Sequence, residues 1–217
     1  MRVLITAGGT REYIDDVRVL TNISSGKLGS IIAEELHRAG HNIFYVYARG
    51  SVIPSNIQNI YEITNVDSLK KIMEELIPLV DVVIHTMTVS DFGFEPITTK
   101  LKSTDKEAFI QSLAERIKYN PKIISYIKEW NKEWNKDVIL IGFKFEVGLN
   151  YFELINIATE SLEKNKCDYV IANDKKEMKD ENIHVAYLID KNKNVKALSG
   201  KEDIALNIKN ILTTINK

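Results

Sequence analysis

The sequence predicts an α/β protein with a Rossmann-like, doubly wound and mainly parallel sheet, helices on both faces and a C-terminal hairpin. Three observations predict it. Short apolar runs alternate with amphipathic stretches, glycine turns follow the first run, and two closely spaced strand patterns precede the last helix. We expect one domain over residues 1–217, since no linker, repeat or low-complexity tract interrupts the pattern.

Each apolar run has the length of one buried strand, and each amphipathic stretch has the period of a helix packed on a sheet. The expected strands lie near residues 2–6, 42–47, 57–63, 81–87, 138–143 and 168–172. The expected helices lie near residues 27–39, 66–79, 121–134 and 151–165.

The first helix has apolar residues at helical spacing from Leu28 to Ala39, and Gly40 ends it. We expect Ser24 or Ser25 to cap its N-terminus, and a long loop over residues 10–24 to precede it.

Three further segments complete the predicted secondary structure. Residues 105–119 stay open, because their apolar spacing suits a helix while Asn120-Pro121 ends whatever precedes it. Residues 183–189 and 194–198 are predicted to form a hairpin, and 201–215 to form a last helix.

Composition limits the class of function. The 29 basic and 30 acidic residues give a net charge of −1, so no overall field attracts nucleic acid or an acidic membrane. Cys167 is the only cysteine, which excludes an internal disulfide. Because an apolar core strand starts right after Met1, in place of a signal peptide, we expect a cytoplasmic protein.

Two glycine loops predict an anion site. Gly8-Gly9 follow the first strand, where positive φ angles would let backbone N–H groups close on an anion, and Gly26 opens the first helix. The spacing matches neither the G-x-G-x-x-G fingerprint nor the Walker loop. Phosphate binding and a plain turn beside a capped helix therefore both stay open.

Ligands of doubly wound sheets bind beyond the carboxyl ends of the strands, so the residues that follow each strand are candidates. Each also has an ordinary structural interpretation. Asp91 suits a cap, Lys100 a solvated loop, Glu146 the surface, and His85 a hydrogen-bonded core or rim position.

As a set, the motifs resemble those of the phosphopantothenate–cysteine ligases (phosphopantothenoylcysteine synthetases) of coenzyme A biosynthesis. They run in order from about Arg2 to Asp174: TAGGTREYID, VR, TNISSGKLG, TVSDF, KLKST, NPKII, IGFKFE and CDYVIAND. No flavin-binding decarboxylase segment precedes them, so the chain is expected to be the stand-alone bacterial form.

The resemblance implies a reaction in two steps. CTP transfers its nucleotidyl group to the carboxylate of 4′-phosphopantothenate with release of pyrophosphate, and the amine of L-cysteine then displaces CMP. Mg²⁺ is implied as the cofactor that accompanies the triphosphate.

Site residues follow by matching motifs. The nucleotide is expected to contact Gly8, Gly9, Thr10, Ser24, Asp91, Lys100, Phe143, Lys144, Phe145 and Glu146. Lys100 is the triphosphate-binding lysine, Asp91 lies between the two substrates, and residues 143–146 surround the base.

Phosphopantothenate is expected to contact Arg18, Asn22, Met87, Thr88 and Asp91. Asn22 also stabilises the acyl nucleotide, so that Asn22 and Lys100 are the expected catalytic residues. Arg18 matches an arginine that, in dimeric members, reaches the phosphopantothenate of the partner subunit. The resemblance therefore implies a homodimer.

Departures from the family pattern leave the nucleotide preference open. Residues 85–88 replace a commonly alanine-rich run, and Lys144-Phe145 replace a commonly small pair. A nucleotide-cofactor oxidoreductase and a non-catalytic nucleotide-binding protein remain the alternatives. An oxidoreductase of this kind needs a G-x-G-x-x-G loop and an acidic residue after the second strand. This chain has neither, and Tyr47-Ala48-Arg49 stand at the second position.

Overall fold

The computed structural model describes residues 1–95, 97, 100, 105–132, 137–177 and 184–215. Its strands are β1 (Arg2–Ala7), β2 (Arg11–Asp15), β3 (Arg18–Thr21), β4 (Asn42–Ala48), β5 (Asn59–Ile63), β6 (Val82–His85), β7 (Phe92–Phe94), β8 (Ile117–Tyr119), β9 (Ile139–Glu146), β10 (Tyr169–Asp174), β11 (Val185–Asp190) and β12 (Val195–Ser199). Its α-helices are α1 (Lys27–Arg38), α2 (Val66–Leu76), α3 (Lys106–Arg116), α4 (Ile123–Lys132), α5 (Tyr151–Lys164) and α6 (Lys201–Ile215).

Within these residues one sheet has the strand order β12-β11-β10-β9-β6-β1-β4-β5. The strands from β5 to β10 pair in parallel, whereas β11 and β12 pair antiparallel as the predicted hairpin. Counted along the chain, the parallel strands lie in the order 3-2-1-4-5-6, the doubly wound arrangement that the sequence predicts. The order reverses between β1 and β6.

The core lies on both faces of the sheet because side chains alternate along each strand. Leu4 of β1 belongs to the cluster formed with α2, α4 and α5, whereas Val3 and Ile5 belong to the cluster formed with α1 and α6. Gly29 lets α1 approach β1 closely, since a Cβ atom there would lie 2.6 Å from the Ala7 Cβ atom. The helix is thereby packed tightly against the end of the central strand.

The segment expected to be a long loop over residues 10–24 is instead largely a β-ribbon of β2 and β3. The Asp15 carboxylate closes its turn by accepting hydrogen bonds from the backbone N–H groups of Val17 and Arg18. A second ribbon pairs β7 with β8. The open segment 105–119 is α3, capped by Asp105, followed by β8.

Other boundaries also differ from the prediction. The strand expected over 81–87 ends at His85, and α2 gives way to a 3₁₀ turn over Ile77–Leu79, where Pro78 has no N–H to donate. The expected end of α4 at residue 134 lies outside the described residues.

The expected serine cap of α1 was wrong. Gly26 is the N-cap residue with φ 73°, and no side chain caps the helix there. The Ser25 hydroxyl accepts only a 3.3 Å hydrogen bond from Lys27 N–H.

Candidate functional site

The two glycine turns lie side by side at the carboxyl end of β1. Gly8 has φ 91°, as expected, and a Cβ atom there would lie 1.9 Å from Ser51 Oγ. Gly9 does not have the positive φ that was expected; it must be small because a Cβ atom would lie 2.7 Å from the Asn22 carbonyl oxygen. A Cβ atom on Gly26 would lie 3.3 Å from Gly8 N. The positive end of α1 therefore lies beside the first turn, as an anion site requires.

Thr10 ties the segment after β1 to the segment after β6. It is completely buried, and its Oγ1 accepts a 2.9 Å hydrogen bond from Ser90 N–H. The backbone of Thr88 also exchanges hydrogen bonds with Gly8 and Thr10. These contacts set the positions of Met87, Thr88 and Asp91.

A crevice of about 600 Å³ lies beyond the ends of β6 and β9, between α4 and α5. It contains seven of the predicted site residues: Asn22, Met87, Thr88, Asp91, Phe143, Lys144 and Phe145. Both apolar and polar side chains line it, and a small-molecule site needs both kinds.

Two ion pairs provide charge near this crevice. Lys122 Nζ lies 2.8 Å from Asp91 Oδ1, and Lys144 Nζ lies 2.8 Å from Glu146 Oε1. Because these side chains are partly exposed to water, such pairs contribute little to stability. An anionic ligand can therefore compete for either lysine.

Asp91 is held through its backbone. The Asn120 backbone N–H donates to the Asp91 carbonyl, and its side chain donates to the Ser90 carbonyl. Glu12 of the β2–β3 ribbon hydrogen-bonds both Asn120 and the Val66 N–H at the start of α2, and burial raises the pKa of Glu12. The ribbon, α2 and the crevice wall are thus joined.

Other predicted residues lie outside the lining of this crevice. They are Gly8, Gly9, Thr10, Arg18, Ser24, Lys100 and Glu146. Lys100 is exposed, and the KLKST residues 101–104 lie outside the described residues. Arg18 pairs with Asp15 of its own ribbon at 3.0 Å and lies over the Phe109 ring. The ligand contacts expected of these residues stay predictions.

Sequence reasoning assigned no role to several residues that line the crevice. Lys122 lies in the NPKII motif, just before α4. This motif is the one sequence signal that could have identified Lys122 as a crevice residue. Ile157, Glu160, Ser161 and Lys164 of α5, with Asn165 at its C-cap, follow an ordinary helical pattern. Only the packing of α5 on β9 places them at the crevice.

Among the described residues, no group of three His, Cys, Asp or Glu side chains is arranged to hold a metal ion. Among the helices that the structure describes, none is both long and apolar enough to cross a membrane.

The fold and the crevice define a doubly wound α/β protein with a candidate ligand site near the strand-order reversal. The family model of the DNA/pantothenate metabolism flavoprotein C-terminal domain matches residues 1–215, and the chain belongs to this family. The DNA/pantothenate metabolism flavoprotein from Streptococcus pneumoniae has a similar structure, with a TM-score of 0.85, 34% identity and 99% of each chain covered.

Two curated relatives are named coenzyme A biosynthesis bifunctional protein CoaBC. That of Methanocaldococcus jannaschii is 37% identical over 206 residues, which are 94% of this chain and 48% of the relative. That of Thermococcus kodakarensis is 39% identical over 174 residues, which are 79% of this chain and 41% of the relative. The chain spans about half the length of these relatives.

Proposed function

We propose that this chain is a cytoplasmic ligase that joins 4′-phosphopantothenate and L-cysteine to 4′-phosphopantothenoyl-L-cysteine, with conversion of CTP to CMP and pyrophosphate. One observation carries the proposal: the crevice brings together Asn22, Asp91 and the segment around Phe143, which come from distant parts of the chain. Membership in a family whose relatives are named for coenzyme A biosynthesis also supports it.

In the first step a carboxylate oxygen of phosphopantothenate attacks the α-phosphorus of CTP, and pyrophosphate leaves with the electron pair of the broken P–O bond. In the second step the cysteine amine attacks the acyl carbon of the acyl cytidylate, CMP leaves, and the nitrogen loses a proton. The chain needs no nucleophile of its own for either step. Its work is to position two reactants and to stabilise the developing charge.

Lysine and amide side chains can position the reactants and stabilise the developing charge. Lys100 is proposed to stabilise the triphosphate as the nucleotidyl group is transferred, and Asn22 to donate from its amide to the acyl nucleotide. The glycine turns at Gly8 and Gly26 offer backbone N–H groups beside the N-terminus of α1 for the phosphates.

Mg²⁺ is proposed to accompany the triphosphate and to offset its charge. Mg²⁺ sites of this kind need only one or two carboxylates in addition to the phosphate oxygens. Asp91, which lines the crevice, fits as such a ligand.

A homodimer is also proposed. The β2–β3 ribbon and its neighbours expose apolar side chains, among them Val17 at 63% and Tyr119 at 85%. Arg18 lies on the same ribbon, where its pair with Asp15 holds it in place. Contact between two copies through this surface would bring Arg18 to the partner subunit's phosphopantothenate.

The proposal is tested by pyrophosphate release with phosphopantothenate, cysteine and either CTP or ATP. We expect CTP to exceed ATP in kcat/KM by roughly a hundredfold, because a site that hydrogen-bonds one base leaves buried groups unpaired with another. Equal values for the two nucleotides would contradict the CTP preference. Nucleotide binding without pyrophosphate release would favour a non-catalytic binding protein.

A further inference from the structure

His85 is a buried polar residue at the crevice to which the proposed reaction assigns no part. It is the last residue of β6, is 6% exposed and lines the crevice. Its Nδ1 lies 2.8 Å from Oγ1 of Thr6, its register partner on β1. The residue is thus hydrogen-bonded in the core, as the sequence predicts, but this bond uses only one of its two ring nitrogens.

The hydrogen-bond network assigns the tautomer of the ring. Thr6 is completely buried, and its Oγ1 already accepts a 3.4 Å hydrogen bond from Met87 N–H. Among the described residues, His85 Nδ1 is the acceptor available to the Thr6 hydroxyl hydrogen. Because a buried hydroxyl without an acceptor is costly, the hydroxyl donates to Nδ1, and the ring hydrogen lies on Nε2.

The second nitrogen is available to a ligand. His85 Nε2 has no hydrogen-bond partner among the described residues, and it is not sealed from solvent as the unpartnered Nδ1 of His184 is. Burial lowers the pKa of His85 to about 4, so the ring is neutral near pH 7. Nε2–H is therefore a fixed, uncharged donor at the crevice.

The surroundings select the kind of ligand group. The glycine turns and lysines already suit the phosphates, so the Nε2–H group of His85 is left for another part of the ligand. Apolar side chains line the same crevice: Ile123, Ile124, Phe143 and Ile157. An uncharged donor beside these apolar side chains fits a flat heterocycle that carries an acceptor.

We propose that His85 donates a hydrogen bond from Nε2–H to a carbonyl oxygen or ring nitrogen of the nucleotide base, and that Thr6 is the positioning residue that orients the ring. The inference rests on the proposed function in that a nucleotide is a substrate. It adds a base-binding residue in the run 85–88, where this sequence departs from the family pattern.

Calorimetric titration with two probes, CTP and inorganic tripolyphosphate, tests the role of His85. We expect His85→Leu to raise the Kd for CTP about tenfold, the effect of one lost hydrogen bond, and to leave the Kd for tripolyphosphate unchanged. His85→Gln, which keeps an amide donor, should restore part of the affinity. His37→Leu, on the exposed end of α1, is the matched control and should not change either Kd.

Thr6 is tested in the same way. Thr6→Val removes the donor to Nδ1 and should weaken CTP binding, whereas Thr6→Ser keeps the hydroxyl and should bind CTP as the wild type does. An unchanged Kd for CTP in His85→Leu would overturn the proposal. An equal loss of CTP and tripolyphosphate binding would do the same, since it would mean a general structural effect.

Nitrogen-15 NMR of the wild-type imidazole tests the tautomer even if a variant fails to fold. We expect a protonated Nε2 and an unprotonated Nδ1 at pH 7, and the opposite assignment would overturn the proposal. None of these measurements requires turnover. A chain that binds CTP through His85 but releases no pyrophosphate would contradict the ligase reaction and still support the histidine's role.

Discussion

At the residue scale, the proposed chemistry depends most on Lys100. Lys100→Gln should reduce pyrophosphate release about a hundredfold, because a preorganised positive charge at the triphosphate would be lost. Lys71→Gln is the control, since Lys71 is an exposed lysine of α2. If a folded Lys100→Gln variant released pyrophosphate at the wild-type rate, Lys100 would be an ordinary solvated loop residue.

His85 also predicts a pH dependence of stability. Burial lowers its folded pKa to about 4 from the ordinary 6.5, so the unfolded chain takes up this proton first as the pH falls. Stability should therefore be lost between pH 6.5 and 4, by up to roughly 3 kcal/mol from this one group. Burial also lowers the pKa values of His41 and His184, which adds loss of the same sign.

Urea unfolding between pH 7 and 4.5 measures this effect. The free energy of unfolding should fall less steeply with acidification in His85→Gln than in the wild type. The exposed control His37→Gln should keep the wild-type slope. Parallel curves for the wild type and His85→Gln would show that His85 titrates alike in the folded and unfolded states.

At the scale of elements, the turn between β1 and β2 is limited by both backbone angle and space. Gly8 and Gly40 have φ 91° and 85°, but only at Gly8 would a Cβ atom meet a neighbour, Ser51. We expect Gly40→Ala to cost about 1 kcal/mol of stability through φ alone. Gly8→Ala should cost roughly 2–3 kcal/mol or more and weaken nucleotide binding, because the turn must also shift.

Urea unfolding and CTP titration measure both effects, and Ser51→Gly provides a further check. It removes the two Ser51 atoms that the new Cβ atom would meet, so it should recover part of the stability of Gly8→Ala. Similar losses in the two glycine variants would show that backbone angle alone limits the turn.

At the scale of the whole molecule, the proposed dimer predicts complementation between two inactive variants. Arg18→Ala and Lys100→Ala place their defects in the same site of a mixed dimer only if Arg18 serves the partner subunit. One site of that dimer then carries both defects, and the other is intact. After unfolding and refolding of equal amounts together, random pairing should restore about a quarter of wild-type activity.

Each variant refolded alone is the control and should stay inactive. Mass spectrometry must show that mixed dimers form. Mixed dimers without recovered activity would mean that Arg18 acts only within its own subunit, where it pairs with Asp15.

The sequence by itself determined the alternation of strands and helices, the doubly wound class, the glycine turns and the terminal hairpin. These features depend on side-chain period and on residues such as Gly8, which act over a few neighbouring positions. The prediction failed or stayed open where two local patterns favoured different structures about equally. The ribbon at residues 11–21, the N-cap at Gly26 and the helix followed by a strand over 106–119 needed the structure.

Only the tertiary structure decided which candidates meet. His85 and Thr6 are 79 residues apart, and Lys122, which follows α3 and β8 along the chain, pairs with Asp91 ahead of them. Such contacts depend on the order of strands in the sheet and on how α4 and α5 pack over it, which no local period encodes. Burial, the imidazole tautomer and the base-binding donor follow from that packing, because they depend on which atoms exclude water.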